Sequence, residues 1–318
     1  MNKNLKGAKG ITLIALVIII IVLIILAGIS IGLVIRNNEI MKKDAKGSEN
    51  YTGETIKEQS DFNKKDYIKE NTKELTLISK EKSYVGYYAD IDADGTVDGI
   101  IFADLAVGTT KSGKWGISLG KRYKIPTITE GLKNYYVKKT GYVDSFGTSD
   151  VIAPVGSGKD RFYIMALKDI DGKKNGTGND WYNSAYGQMS DYASTTSVDF
   201  GKGKNNTLTM IEKWNSEAYG EKDKCSSGHK DMWGQIQEKV NNDWFVPSRA
   251  EWAAFAGELE ISKDSSNSKY YGNLGLSTYY WSSSQDYYGI AWFVNFDSGY
   301  MDGTAVDYNF SVRLAATF

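Results

Sequence analysis

Between Asp90 and Asp98 the chain reads Asp-Ile-Asp-Ala-Asp-Gly-Thr-Val-Asp. Acids at alternate positions can turn several carboxylates toward one hard cation, and a glycine at the bend allows the tight turn. Asp90, Asp92, Asp94, Thr96 and Asp98 are therefore candidate Ca²⁺ ligands. The bidentate Glu of a complete calcium loop is missing, because the twelfth position holds Ile101. Asx-type hairpin turns favour the same residues, so a structural Ca²⁺ clip and a plain turn both fit. Asp169-Ile170-Asp171-Gly172 is a shorter echo that reads as a turn.

Nucleophilic chemistry has little to work with. Cys225 is the only cysteine and His229 the only histidine. That excludes an internal disulfide, a thiol-based zinc cluster and His-based triads. Cys225 and His229 share a loop-like segment, Lys-Cys-Ser-Ser-Gly-His, with no third group to orient a pair. The expectation is a protein that is not an enzyme. A net charge of −1 also offers no basic excess for phosphates, so no nucleic-acid partner is expected.

The C-terminal stretch carries the densest surface chemistry. Gln285, Asp286, Tyr287, Tyr288, Tyr300, Met301, Asp302, Asp307, Tyr308 and Asn309 fall in Tyr-, Asp- and Gly-rich segments and are candidate ligand contacts. Tyr offers broad amphipathic contact at low entropy cost, while Gly, Ser and Asn adapt locally. Residues 281–318 hold four Asp and one Arg, so this surface reads as acidic. Trp281, Trp292, Phe296 and Val312 read as core, and Ser282 to Ser284 as a turn that satisfies backbone groups.

The elements that must position these residues are mostly short. Tyr84–Tyr88, Ile100–Phe102, Arg161–Leu167, 291–296 and 310–314 read as strands. Ser248-Arg249-Ala250-Glu251 is a capping box followed by Trp252, Phe255, Ala256 and Leu259 at helical spacing. Weaker helices are expected over Leu208–Ser216 and Asp231–Val240. About 240 residues can bury one core, so a single α+β head with short strands and a few helices is expected over 81–318.

Ile11 to Ile35 holds no charge. As a helix its 25 residues would span about 37 Å, enough to cross a bilayer with some tilt. Lys3, Lys6 and Lys9 precede it and favour a cytoplasmic N-terminus. Residues 36–80 are polar and charge-mixed and read as a linker or stalk. The head would then lie outside the cell, on a single-pass membrane anchor.

Lys9-Gly10-Ile11-Thr12-Leu13-Ile14 resembles a type IV prepilin leader. The resemblance implies cleavage after Gly10 by a prepilin peptidase, methylation of Ile11, a pilin-like helix over 11–35 and other pilin-like subunits as partners. Ala15 stands where that family usually has Glu, a departure shared with minor pilins near a filament tip. A plain signal-anchor with a chance glycine is the other reading. The elements Trp244-Phe245-Val246-Pro247-Ser248-Arg249, Tyr280-Trp281-Ser282-Ser283-Ser284, Ala291-Trp292-Phe293-Val294-Asn295-Phe296 and Ser311-Val312-Arg313-Leu314 resemble bacterial C-type-lectin-fold domains. These are the domains related to formylglycine-generating enzymes and to the variable proteins of diversity-generating retroelements. That likeness spans 240–318 most firmly and implies a C-type-lectin-like mixed domain with a ligand-facing surface near its end.

Together these features imply a surface-exposed, adhesin-like or minor-pilin-like protein with an unknown protein or glycan ligand. The alternative is a structural pilin or pseudopilin subunit with no separate ligand. Mass spectrometry of the mature protein should find an N-methylated Ile11 as the first residue; an intact Met1–Gly10 would refute the leader.

Overall fold

A computed structural model describes residues 76–109, 123–182, 196–215, 231–240 and 243–318. All of them belong to one compact unit, Glu74–Phe318. Gly10, Ile11, the apolar run 11–35, the linker to residue 75, Cys225 and His229 lie outside the described residues. Among the described residues no helix is long and apolar enough to cross a membrane.

The strands are β1 (Thr76–Leu77), β2 (Tyr88–Ala89), β3 (Gly99–Asp104), β4 (Asn134–Asp144), β5 (Gly147–Val155), β6 (Phe162–Ala166), β7 (Tyr279–Tyr287), β8 (Ile290–Asn295), β9 (Tyr300–Ala305) and β10 (Ala315–Thr317). The helices are α1 (Gly203–Asn215), α2 (Met232–Gln235), α3 (Gln237–Val240) and α4 (Arg249–Glu258). Seven strands pair in the order β1-β4-β5-β2-β3-β6-β10, and three in the order β7-β8-β9.

This corrects the expected fold class. The described residues are mainly β-sheet with a few short helices, rather than the expected α+β head. The physical reason is visible in the segments expected to be helical. Asp231–Val240 breaks at Ile236 into two four-residue turns, α2 and α3. Only α1 and α4 reach ten residues. Most of the aromatic and β-branched runs find strand partners instead.

Individual strands also shift. Tyr84–Tyr88 yields only Tyr88–Ala89, because Gly86 bends the chain at φ +88°. Ser282–Ser284 sits inside β7, not in a turn, opposite a register shift that leaves this stretch without regular partners in β8. The serines still satisfy backbone groups: Ser282 Oγ donates to Trp292 O at 2.8 Å and Ser284 Oγ to Ser197 O at 2.8 Å. Residues 310–314 run extended with isolated bridges at Phe310 and Ser311, and the strand follows at β10.

The large sheet is buried on both faces around β2, β3 and β6, while β1 and much of β4 are exposed. In β3, Ile100 and Phe102 join one core cluster while Ile101 points into another, as strand alternation requires. The first cluster also holds Trp252 and Phe255 of α4 and Tyr280, Val294 and Met301 of the small sheet. Helix α4 is therefore the wedge between the sheets. Phe255 meets Phe102 edge-on at 5.8 Å, and Trp252 meets Tyr280 at 4.9 Å. Trp281, Trp292, Phe296 and Val312 are all buried. A third cluster gathers Trp181, Trp233, Trp281 and Val312 on the other face of the small sheet.

The capping box that begins α4 is formed. Ser248 Oγ accepts from Glu251 N at 3.3 Å, and Glu251 Oε2 accepts from Ser248 N at 2.6 Å. Glu251 Oε1 also accepts from Gly201 N at 2.9 Å and Gly203 N at 3.3 Å, so one carboxylate ties the start of α4 to the turn before α1. Burial pushes this carboxyl up to about 7, against the pull of those N–H groups. Because the folded value exceeds the unfolded one, the associated stability is complete below pH ~4.5 and is lost as pH rises through about 7. Glu251→Gln should cost about 1–3 kcal/mol, since the amide turns a donor toward backbone N–H groups. In urea titrations at several pH values, its deficit relative to the native chain should shrink between pH 5 and 7; a constant deficit would contradict this assignment.

Candidate functional site

The Asp-rich segment is the connection between β2 and β3. Asp90 N donates to Ile152 O and Asp98 N to Ala89 O, which clamps both ends of the turn. Ala93 and Gly95 take left-handed conformations, with φ of 62° and 95°. Asp90, Asp92 and Asp98 bring carboxylate oxygens within 4.8 Å of one another. Asp94 and Thr96 are exposed and stand outside that cluster; Asp94 Oδ1 accepts from Thr96 N at 2.7 Å. Asp90 is spanned by Asp94 N and Gly95 N, and Asp98 Oδ2 accepts from Ile91 N at 2.7 Å. Burial, then mutual repulsion among the acids, raises the pKa of Asp90 and Asp98 above the usual carboxylate value against these N–H bonds. The three carboxylates can hold one hard cation such as Ca²⁺, and the N–H bonds also satisfy the turn without one.

The expected contact residues separate into four groups. Gln285 and Met301 are buried. Met301 lies in β9 opposite Val294, so alternation turns it into the core, and Gln285 Nε2 donates to Tyr287 O at 3.1 Å. Asp286, Tyr287 and Tyr288 cluster at the two-residue turn from β7 to β8, where Tyr287 and Tyr288 are exposed. Near that end Arg249 lies 4.5 Å from the Trp292 ring centroid. Burial lowers the Arg249 pKa, while Asp286 and Asp199 oppose that shift. Tyr300 and Asp302 belong to β9 rather than to a loop, and Asp302 is exposed. Asp307, Tyr308 and Asn309 form the exposed bend after β9.

That bend leads to a groove that the sequence reading did not foresee. It is an open groove of about 490 Å³ between Asn175, Gly176 and Gly178, Tyr271–Gly272, Leu276–Tyr279 and Asn309–Ser311. Tyr279 is 40% exposed and stacks on Phe310, with centroids 4.9 Å apart and planes at 22°. Tyr308 packs beside the same ring at 5.9 Å. Ser311 Oγ donates to Gly176 O at 3.0 Å, joining segments 135 residues apart.

A buried ion pair holds the groove loop. Arg313 Nε donates to Asp169 Oδ1 at 2.6 Å, and Tyr280 Oη donates to the same carboxylate. Asp169 Oδ2 accepts from Gly176 N at 2.7 Å. Arg313 Nη2 donates to Gly275 O at 3.1 Å, which fixes the opposite wall. Asp171 adds bonds from Lys173 N and Thr177 N. A Cβ on Gly178 would lie 2.8 Å from the backbone carbonyl carbon of Asn309 as well as against its side chain, so glycine lets the two segments approach this closely. The run Asn175-Gly176-Thr177-Gly178-Asn179-Asp180 marks a turn-rich loop in the sequence. Nothing local in it points to Tyr279 or Asn309.

The chain matches no protein-family model, no curated protein and no solved structure.

The carboxylate repulsion at the β2–β3 turn is testable. In cation-free buffer at pH 7, Asp92→Asn should stabilise the protein by on the order of 0.5 kcal/mol, since its oxygen still accepts from Asp94 N while a repelling charge is removed. The gain should fade in acid, where Asp90 and Asp98 are protonated. Destabilisation at pH 7 would contradict it.

Proposed function

We propose that this chain is a membrane-tethered binding protein displayed at the cell surface, and that it acts by contact rather than catalysis. The apolar run 11–35 supports the tether, and the basic residues before it support an outward head. One observation carries the binding half of the reading. Every strongly exposed tyrosine among the described residues, namely Tyr279, Tyr287, Tyr288 and Tyr308, falls within the 30 residues around the small sheet. Elsewhere in the described head the aromatic rings are buried or partly covered. A protein with no contact to make gains little from four tyrosines in water, whereas binding surfaces concentrate such rings.

The rings stand on a rigid support. Tyr279 and Tyr308 flank buried Phe310, which itself packs on Trp281 at 4.6 Å and Phe293 at 5.0 Å. Tyr287 and Tyr288 close a two-residue turn with Gly289 at φ 68°. Rings braced as Tyr279 and Tyr308 are on Phe310 lose little entropy on binding.

Protease treatment of intact cells producing the full chain should shed head fragments. The combined change of Tyr279, Tyr287, Tyr288 and Tyr308 to Ala should abolish adherence of those cells to protein- and glycan-coated surfaces. The same change should shift the melting temperature of the purified full chain by no more than a few degrees. A protease-resistant head, or undiminished adherence, would overturn the reading.

A further inference from the structure

We propose that the groove beside Tyr279 binds a neutral saccharide directly, with no metal ion between sugar and protein. This rests on the surface-binding reading and names the ligand class of one part of that surface.

The volume of about 490 Å³ suits one or two sugar rings. None of the residues that line it is charged. The nearby carboxylates of Asp169 and Asp171 are already engaged by Arg313 and by backbone N–H groups. A phosphate or carboxylate ligand would lose hydration here without gaining a counter-charge from the lining residues. The β2–β3 acids are not among the lining residues, so a cation held there would not touch the ligand.

The polar groups present suit hydroxyls. Asn175 and Asn309 are exposed at the rim, and their carboxamides make no hydrogen bond within the described residues. Each amide offers two donors and one acceptor oxygen. A sugar hydroxyl also both donates and accepts. Tyr279, backed by Phe310, supplies a braced ring against which the C–H face of a pyranose can lie.

A purely apolar ligand would leave the two carboxamides unpaired on burial. An extended peptide would need a free strand edge, but the β7 edge here is taken: Tyr279 O accepts from Ser311 N, and Ser311 O from Trp281 N, each at 3.1 Å.

The test uses the full chain in detergent micelles on an array of neutral, sialylated, uronate-bearing and sulfated oligosaccharides, in buffer with EDTA. Neutral members should bind in EDTA. In titrations with the best of them, Tyr279→Ala should weaken binding by about tenfold or more, Tyr279→Phe should keep most of it, and Asn309→Ala should weaken it. Circular dichroism melts of all three variants should match the parent. Binding confined to acidic glycans, binding only on adding Ca²⁺, no neutral binding at all, or equal binding by Tyr279→Ala would each overturn the proposal. A silent array beside cells that still adhere through the four tyrosines would sink the saccharide and leave the surface-binding reading standing, with a protein as the ligand.

Discussion

The pair of Asp169 and Arg313 is the constraint on which the site depends. Asp169 follows β6 of the large sheet, and Arg313 leads into β10 on the same sheet's edge. Tyr280, which donates to the same carboxylate, belongs to the small sheet. One buried charge pair thus joins both sheets and the loop that walls the groove. Removing either partner would strand a charge away from water, which costs several kcal/mol and is far worse than losing an exposed pair. A second pair of the same kind, Arg161 with Asp104, closes the far side of the large sheet through two bonds of 2.8 and 2.9 Å.

Rigidity and exposure are arranged in layers around this pair. Helix α4 fills the space between the sheets, and its capping carboxylate binds the turn before α1. Both faces of the small sheet carry buried aromatics, so most of β7 and β8 is covered on either side, while β9 forms the sheet's more open edge. The exposed tyrosines lie around its rim: at the β7–β8 turn, the bend after β9 and the groove beside Tyr279. Buried polar side chains such as Gln285 and Asp169 bond the backbone there.

Much of the local structure was legible. The capping box at Ser248 and Glu251 marked α4 because its signature is confined to four adjacent residues. Trp281, Trp292, Phe296 and Val312 were readable as core because bulky apolar side chains in short strands have nowhere else to go. The aromatic and β-branched content of Ile100–Phe102 and Arg161–Leu167 marked two strands, which the structure places at Gly99–Asp104 and Phe162–Ala166. Legibility failed where one residue's role depends on a distant partner. Met301 looked like a loop residue until the pairing of β9 with Val294 turned it inward. Gln285 looked like a contact until the strand around it was covered. The stretch Asp231–Val240 has a helical pattern, yet the chain breaks it at Ile236, a choice made by packing.

By itself, then, the sequence determined the chemistry on offer: no histidine or cysteine cluster, acids at alternate positions before one glycine, tyrosines gathered near the end, and a charge-free apolar run near the start. These are properties of composition and of spacing within about a dozen residues. Tertiary structure alone decided that Gly178 meets Asn309 across 131 positions, that Arg313 pairs with Asp169, and that sheets rather than helices dominate the described head. The physical reason is that strand pairing and buried ion pairs are contacts between remote segments. Their free energy exists only when the whole chain closes on itself, so no local window carries their signature.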